Sequence, residues 1–283
     1  MVSTKQNDFS QEKEKKNNLL KTFSLTVSQL EQCRQDVLTA GKRLLVSDGI
    51  IVEEKTDYTN LVTKYDKATQ EYLVETFSKI VPEATFLCEE ENMADTSGEY
   101  VFIIDPIDGT ANFTKYYGHS AVSAALAQEG KLLWGAVYNP FTDELFEARA
   151  ESGAYCNGKR IYVSTDNLKH SLVAFGTSPY YKELRDESFR IALDVMDHAL
   201  DIRRSGSAAL DLCYAACGRC GVFFELQLSP WDFAAGMLIV QEAGGTITDI
   251  YGNMPDFTAK SSIVAGNAEA HREFVNLYKD IKG

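Results

Sequence analysis

The sequence predicts a mixed α/β fold in which helices and sheets are stacked in layers. Two amphipathic helical patterns come before the first clear strand, strand patterns then dominate residues 85–150, and the second half alternates strands with helices. The composition, with 45% hydrophobic and 11% aromatic residues, is that of a globular protein.

The N-terminal part divides into a polar segment and two helical patterns. Residues 1–24 are rich in Lys, Glu and Asn without a sustained apolar period, so we expect an extension that carries no chemistry. Near-helical spacing then predicts two helices, marked by Leu30, Cys33, Val37 and Leu44 and by Ala68, Tyr72, Phe77 and Ile80.

The rest of the chain predicts a mostly antiparallel sheet followed by alternating elements. Strand patterns lie at 85–88, 100–105, 121–127, 132–139 and 144–150, and Asn157-Gly158 signals a type I′ hairpin turn. The second half predicts strands at 171–177, 201–205, 221–226, 246–250 and 261–266, and helices around 184–199, 207–217, 231–243 and 268–279. Without a repeat or linker, we expect residues 25–283 to form two closely packed lobes, about 25–152 and 153–283.

The charge balance bears on possible partners. Against 41 acidic residues the chain has 28 basic ones, a formal net charge of -13, which argues against nucleic-acid binding. An anionic substrate would therefore need bound cations to attract it. With no apolar run near the roughly 20 residues that span a bilayer and no signal-peptide pattern at the N-terminus, we expect no membrane contact and a cytoplasmic location.

The six cysteines are scattered, which favours reduced thiols over a disulfide framework. Cys217 and Cys220 form a CxxC pair, but no second pair stands at zinc-ligand spacing. We interpret Cys213 and Cys217 as small residues of a buried helical stretch.

Several acidic residues have an ordinary explanation when each is taken alone. Asp66 lies three residues after Thr63 and Asp232 three after Ser229, the spacing of a capping box, and Pro230 stands at the favoured first helical position. Asp108 could cap a helix that follows it.

The segment VFIIDPIDGTANF favours a site. Its apolar strand delivers Asp105 at its end and Asp108 three residues later, two carboxylates that would repel each other unless they share a cation. Gly109 permits a ligand to approach closely, and residues 110–113 can open a helix whose free N–H groups bind phosphate.

A second strand end, at 85–88, leads into Glu89, Glu90 and Glu91, of which at least one should point into a site. Carboxylates without matching His or Cys favour Mg²⁺ or Mn²⁺ over zinc or copper. The chemistry indicated is hydrolysis assisted by more than one metal ion.

These motifs resemble those of the inositol monophosphatase family, in order, over roughly residues 28–280. DPIDGTANF resembles the core metal-binding motif, SPWDFAAGMLIVQEAGG the second signature, TNLVTKYD the upstream Asp segment and FLCEEEN the strand-end acids. GSAALDLCYAACGRCGVFFEL is similar to the substrate-side helix and strand of bacterial members. The resemblance implies a layered αβαβα sandwich of the inositol monophosphatase and fructose-1,6-bisphosphatase type, and Mg²⁺-dependent hydrolysis of a small phosphorylated polyol by a metal-activated water.

The resemblance also implies a set of metal ligands, with two or three ions per site and Mn²⁺ as a substitute. The first ion would use Glu89, Asp105 and the carbonyl of Ile107. The second would use Asp105, Asp108 and Asp232. A weaker third ion would use Glu89, with Glu90 as a further candidate.

Catalysis and substrate contacts follow from the same resemblance. Asp66 and Thr110, together with Glu89, would act on the nucleophilic water, and the N–H groups of Gly109 and Thr110 would bind phosphate. The polyol contacts would be Gly206, Ser207, Ala208 and Glu225, with Thr177 and Ser178 as weaker candidates. Glu225 alone could also be a strand-end acid exposed to water.

Two residues depart from the family pattern. Cys88 stands where the family usually has Gly, and Ala111 replaces a frequent Thr. Neither change removes a ligand, but a thiol near the metals would raise the hypothesis of thiol-sensitive activity.

Alternatives within the superfamily are 3′(2′),5′-bisphosphate nucleotidase, fructose-1,6-bisphosphatase and histidinol-phosphate phosphatase. The sequence TANF and the presence of Glu225 favour the inositol branch. A regulatory homologue without turnover is a further alternative, although every expected ligand is present. The resemblance also implies lithium inhibition and a homodimer.

Overall fold

The structure is a computed structural model that describes residues 25–46, 52–54, 61–90 and 94–282. Seven α-helices lie within these ranges: α1 Val27–Leu44, α2 Lys64–Ile80, α3 Thr110–Thr114, α4 Arg185–Met196, α5 Ala208–Ala216, α6 Pro230–Glu242 and α7 Ala268–Lys282. Two 3₁₀ turns at Leu168–His170 and Lys182–Leu184 supplement them. The predicted extension, residues 1–24, lies outside the described residues.

The strands build two large sheets and one small hairpin. They are β1 Val52–Glu54, β2 Leu61–Thr63, β3 Thr85–Cys88, β4 Tyr100–Asp108, β5 Ala121–Gln128, β6 Lys131–Asn139, β7 Glu144–Arg149, β8 Gly153–Cys156, β9 Lys159–Arg160, β10 Leu172–Phe175, β11 Asp201–Arg203, β12 Val222–Leu228, β13 Thr246–Thr248 and β14 Ser261–Gly266.

The larger sheet has seven strands in chain order, β3 to β9, with every pair antiparallel except β3 and β4, which run parallel. Asn157 and Gly158 join β8 to β9 with positive φ angles of 48° and 74°, as the predicted type I′ turn requires. The smaller sheet has the order β11-β10-β12-β14-β13, in which β10 runs parallel to β11 and β12.

Three apolar clusters hold five layers together. One cluster packs α1 and α2 against the larger sheet, a second fills the space between the sheets with α5 and α6, and a third packs α4 and α7 on the outer face of the smaller sheet. The predicted αβαβα sandwich is therefore confirmed. The division into lobes near residue 152 stays a prediction, and the larger sheet itself continues to Arg160.

The structure corrects two details of the predicted order. The short hairpin of β1 and β2 precedes α2, so the two helices do not both come before the first strand. Strand β4 continues through Pro106 to Asp108, three residues beyond its predicted end. None of the helices in the described part of the chain is both long and apolar enough to cross a membrane.

Candidate active site

Three carboxylates meet where the larger sheet faces α6. Asp105 and Asp108 lie at the end of β4, Asp232 lies in the first turn of α6, and their ligand oxygens are all within 4.8 Å of one another. Asp105 and Asp108 are buried. The arrangement brings together three residues that are predicted as metal ligands.

An irregularity in β4 lets Asp105 and Asp108 share one face. Asp105 pairs with Ser123 and Asp108 with Ala121, so three steps along β4 match two steps along β5. In a regular strand, residues three apart point to opposite faces. The extra residue of this bulge places Asp105 and Asp108 on the same face of β4, so both carboxylates reach the site.

Burial and mutual repulsion raise the pKa values of the three aspartates. Burial raises the pKa of Asp105 and of Asp232 well above the ordinary range, and nearby carboxylates raise both further. Burial likewise raises the pKa of Asp108 to about 6. A hard divalent cation among these oxygens would relieve both effects, so the residues fit a metal of the Mg²⁺ class.

Hydrogen bonds from the start of α5 partly offset the effect of burial on the pKa of Asp108. Its Oδ2 accepts hydrogen bonds from the Ser207 hydroxyl at 2.5 Å and from the Ala209 N–H at 2.8 Å. The N–H of Ala208 also lowers the pKa of Asp108. Asp108 thus lies at the N-terminus of α5, not as a side-chain cap of α3, whose N-cap is Gly109.

The acids after β3 separate into two environments. The Glu89 N–H donates to the carbonyl of Ile104 at 3.2 Å, which extends the parallel pairing and keeps Glu89 beside Asp105. Glu89 lines the same cavity as the three aspartates, and its charge raises the pKa of Asp105. Glu90 is buried, exchanges backbone hydrogen bonds with the Gln70 side chain and does not line that cavity. Glu91 lies outside the described residues.

Asp66 caps α2 with one carboxylate oxygen and contacts the site residue Thr110 with the other. Its Oδ2 accepts from the Thr63 N–H at 2.7 Å and from the Thr63 hydroxyl at 2.6 Å, the predicted capping contacts. Its Oδ1 lies 3.2 Å from the Thr110 hydroxyl, which lies 3.0 Å from the Ile107 carbonyl. Burial raises the pKa of Asp66 to about 6, against the hydrogen bonds from Thr63.

Gly109 holds the turn between β4 and α3 with φ of 82°. A side chain there would be strained, and its Cβ would lie 3.0 Å from the carbonyl oxygen of Gly206. The Asn112 amide donates to the Ser205 carbonyl at 2.9 Å and so ties α3 to the segment before α5. These contacts bring the phosphate-side and polyol-side candidates together.

A cavity of about 590 Å³ contains most of the predicted residues. Its walls include Glu89, Asp105, Ile107, Asp108, Gly109, Thr110, Gly206, Ser207, Ala208, Glu225 and Asp232. Asp66, Glu90 and Thr177 do not line it. Asp66 reaches it through Thr110, whereas Thr177 accepts from Arg204 Nη2 at 3.1 Å and lines a neighbouring depression.

Glu225 is a buried wall residue, not a strand-end acid in water. Its Oε1 accepts from the Ser178 N–H at 2.7 Å, and burial raises its pKa to about 7. Gly176 makes room for it, because a Cβ there would lie 1.9 Å from Glu225 Oε2. A second bulge follows Glu225 in the pairing of β12 with β14.

Cys88 faces away from this cavity. Its side chain is buried in the apolar cluster beneath α1 and α2, and burial raises the pKa of the thiol to about 12. A protonated, inaccessible thiol is a poor nucleophile. The burial of Cys88 argues against thiol-sensitive activity at this residue.

The wall residues that sequence reasoning missed include Tyr180, Arg204, Asp211 and Lys260. Asp211 carried a usable signal, because it is the one charged residue in the apolar helix AALDLCYAA. Its carboxylate accepts from the Ser205 hydroxyl at 2.5 Å, and burial raises its pKa. The other three residues come from separate loops and had no local signal.

A sequence model described as the inositol monophosphatase family matches residues 24–282. The chain belongs to this family. The inositol monophosphatase family is metal-dependent and its substrates are small phosphate esters, in keeping with the three clustered carboxylates.

Named relatives carry two different descriptions. The chain is 40% identical over 223 residues to Nus factor SuhB of Escherichia coli, covering 78% of this chain and 83% of that protein. It is 37% identical over 253 residues to the inositol-1-monophosphatase of Rhizobium meliloti, covering 85% and 93%. The solved structure of Thermotoga maritima IMPase, 30% identical, superposes with a TM-score of 0.82 and covers 90% of this chain and 98% of that one.

Proposed function

We propose that the protein is a Mg²⁺-dependent phosphomonoesterase whose preferred substrate is a myo-inositol monophosphate. The observation that carries the proposal is the group of three carboxylates in a cavity whose wall also contains the buried Glu225. A cation site beside a buried hydrogen-bond acceptor suits a molecule that has a phosphate at one end and hydroxyl groups at the other.

The metal ligands would be shared between two ions, with a third bound more weakly. Glu89, Asp105 and the Ile107 carbonyl would hold the first ion, and Asp105, Asp108 and Asp232 the second. Glu89 would also serve the third, for which Glu90 is the weaker candidate because it lies off the cavity. When bound, Mg²⁺ would balance phosphate charge and make water more acidic.

Asp66 and Thr110 would handle the proton of the attacking water. The Thr110 hydroxyl donates to Asp66, which leaves its oxygen as an acceptor for water. A carboxylate with a pKa of about 6 is suited to receive a proton near neutral pH. The new bond joins the water oxygen to phosphorus as the ester P–O bond breaks; Asp66 takes up a proton of the attacking water, and the leaving polyol oxygen takes up a proton from solvent water.

The remaining contacts would orient the substrate. The N–H groups of Gly109 and Thr110 would bind phosphate oxygens, and Glu225 would accept hydrogen bonds from ring hydroxyls. The segment 206–208 would approach the ring. Ser207 already donates to Asp108, so its contribution to the ring would come from the backbone.

The named relatives support the proposal unequally. The Rhizobium meliloti relative is called an inositol-1-monophosphatase, whereas the Escherichia coli relative is called a Nus factor. The second name is consistent with the alternative of a regulatory homologue without turnover. All the predicted metal ligands are nevertheless present in this chain. On the family resemblance we also propose lithium inhibition, a homodimer and a cytoplasmic location.

The test is phosphate release by purified protein with and without Mg²⁺. We expect inositol 1-phosphate to give a higher kcat/KM than adenosine 3′,5′-bisphosphate, fructose 1,6-bisphosphate or histidinol phosphate. A preference for one of these three would assign the corresponding alternative activity. Equal rates in wild type and Asp105→Asn would contradict catalysis at this site.

A further inference from the structure

The loop that follows β10 is fixed to the wall of the cavity at two points. At Ser178, the N–H donates to Glu225 at 2.7 Å, and the hydroxyl oxygen accepts from the Gln227 N–H at 3.0 Å. Three residues on, the Tyr181 hydroxyl accepts from Lys260 Nζ at 2.6 Å. Tyr180 lies between these points.

The backbone of this loop has an unfavourable conformation at Ser178 that the hydrogen bonds of the loop stabilise. Ser178 has φ of 43°, a left-handed conformation that a non-glycine residue rarely adopts. The Tyr181 N–H donates to the Ser178 carbonyl at 2.8 Å and closes the turn around Pro179. These contacts hold the backbone on both sides of Tyr180.

Tyr180 is a wall residue of the cavity and is also partly exposed to solvent. The side chain lines the cavity although 56% of its surface is exposed. Its pKa is raised, first by burial of the hydroxyl and then by the negative charges of Glu89, Asp232, Asp105 and Asp108. No described residue exchanges a hydrogen bond with this hydroxyl.

We propose that Tyr180 contacts the substrate and donates a hydrogen bond to the phosphate group held above the carboxylates. The inference rests on the proposed function. Tyr180 lines the same cavity as the predicted metal ligands Glu89, Asp105, Asp108 and Asp232, whose charges act on its hydroxyl. A phosphate held at those carboxylates is therefore the substrate group that we assign to Tyr180. A phenol that stays protonated can only serve there as a donor to an anion.

Tyr180→Phe removes the hydroxyl and keeps the ring. We expect kcat/KM for inositol 1-phosphate to fall about tenfold, as expected for one hydrogen bond to a charged group, and the inhibition constant of inorganic phosphate to rise by a similar factor. Thermal stability and the Mg²⁺ concentration for half-activation should stay at wild-type values. Tyr162→Phe, which removes another exposed tyrosine hydroxyl, is the matched control.

The outcomes separate the two proposals. If wild type hydrolyses the ester and Tyr180→Phe keeps both kcat/KM and phosphate inhibition within about twofold, the role of Tyr180 is overturned while the proposed function stands. If wild type shows no Mg²⁺-dependent hydrolysis, the proposed function fails. Calorimetric titration of Mg²⁺-loaded protein with inorganic phosphate then decides for Tyr180: weaker binding by the Phe variant supports the contact, and equal or undetectable binding by both overturns it.

Discussion

The hydroxyl of Thr110 lies 3.2 Å from Asp66 Oδ1, across 44 residues of sequence and between two layers of the fold. Asp66 is held for this contact by Thr63, which occupies the other carboxylate oxygen with two hydrogen bonds. The capping box of α2 therefore also orients a site residue. The structure contains both the capping contacts and the contact with Thr110, and the role of Asp66 in catalysis stays a prediction.

Asp66→Asn should lower kcat on the order of 10²-fold or more and leave KM within a few fold. The amide can still cap α2, but it cannot accept the proton of the attacking water. Steady-state kinetics with Mg²⁺ would measure the effect. Asp95→Asn is the control, since Asp95 is an exposed aspartate that caps its own turn through Ser97. A loss of less than about fivefold would count against Asp66 as proton acceptor.

Asp105→Asn should have opposite effects on stability with and without metal. In EDTA the variant should be more stable by roughly 1 to 3 kcal/mol, because it replaces a carboxyl group that burial and neighbouring acids make costly to ionise. Mg²⁺ should raise the melting temperature of wild type more than that of the variant, because bound ligand stabilises the folded state. Asp197→Asn, at the exposed end of α4, should show neither effect. Thermal scans under both conditions provide the measurement, and equal Mg²⁺ shifts would exclude Asp105 as a ligand.

Glu225 should make the metal-free protein less stable as the pH rises. Its pKa increases from an ordinary 4.5 to about 7 on folding, so the folded state holds this proton more tightly than the unfolded chain does. The resulting stabilisation is fully present below pH 4.5 and is lost as the pH rises through about 7. Relative to Glu225→Gln, wild type should lose about 3 kcal/mol between these limits. Urea unfolding in EDTA across this range tests it, and parallel curves for the two proteins would contradict it.

Gly176→Ala should damage recognition of the polyol and spare the chemistry. The new Cβ would collide with the carboxylate of Glu225 and displace it. We expect KM for inositol 1-phosphate to rise about tenfold, the effect of losing a hydrogen bond to a charged acceptor. An aryl phosphate without ring hydroxyls serves as the internal control, and its kinetics should change little. An equal loss with both substrates would point to a disturbed metal site.

Peroxide should not act through Cys88. The thiol is buried and stays protonated, so both wild type and Cys88→Ser should keep their activity after mild peroxide treatment. Intact-mass spectrometry would show whether Cys88 gains oxygen. Wild-type inactivation that the Ser variant escapes would contradict this.

The sequence predicted the layers and the carboxylate cluster because their signals are local. Strand and helix periods are contained within single segments, and the acids follow directly from buried strands or begin a helix. The β1 and β2 hairpin was missed because strands of three residues have too little alternation to recognise. Pro106 concealed the last part of β4, since proline rarely occurs inside a strand.

The missed wall residues had a different cause. Arg204, Tyr180 and Lys260 come from three loops that meet only when the smaller sheet is assembled. Nothing in the residues beside Tyr180 distinguishes it from a surface tyrosine, because its surroundings are provided by Glu89 and the aspartates of other elements. Such contacts depend on tertiary structure.

The bulge between Asp105 and Asp108 makes the site depend on chain length as well as on side-chain identity. Deleting one residue from the DPID turn would leave both aspartates in the sequence but would send one of them to the opposite face of the sheet. A single-codon deletion here should thus abolish metal binding as completely as removing a ligand. Anyone grafting this motif into another strand must transfer its irregular spacing together with its acids.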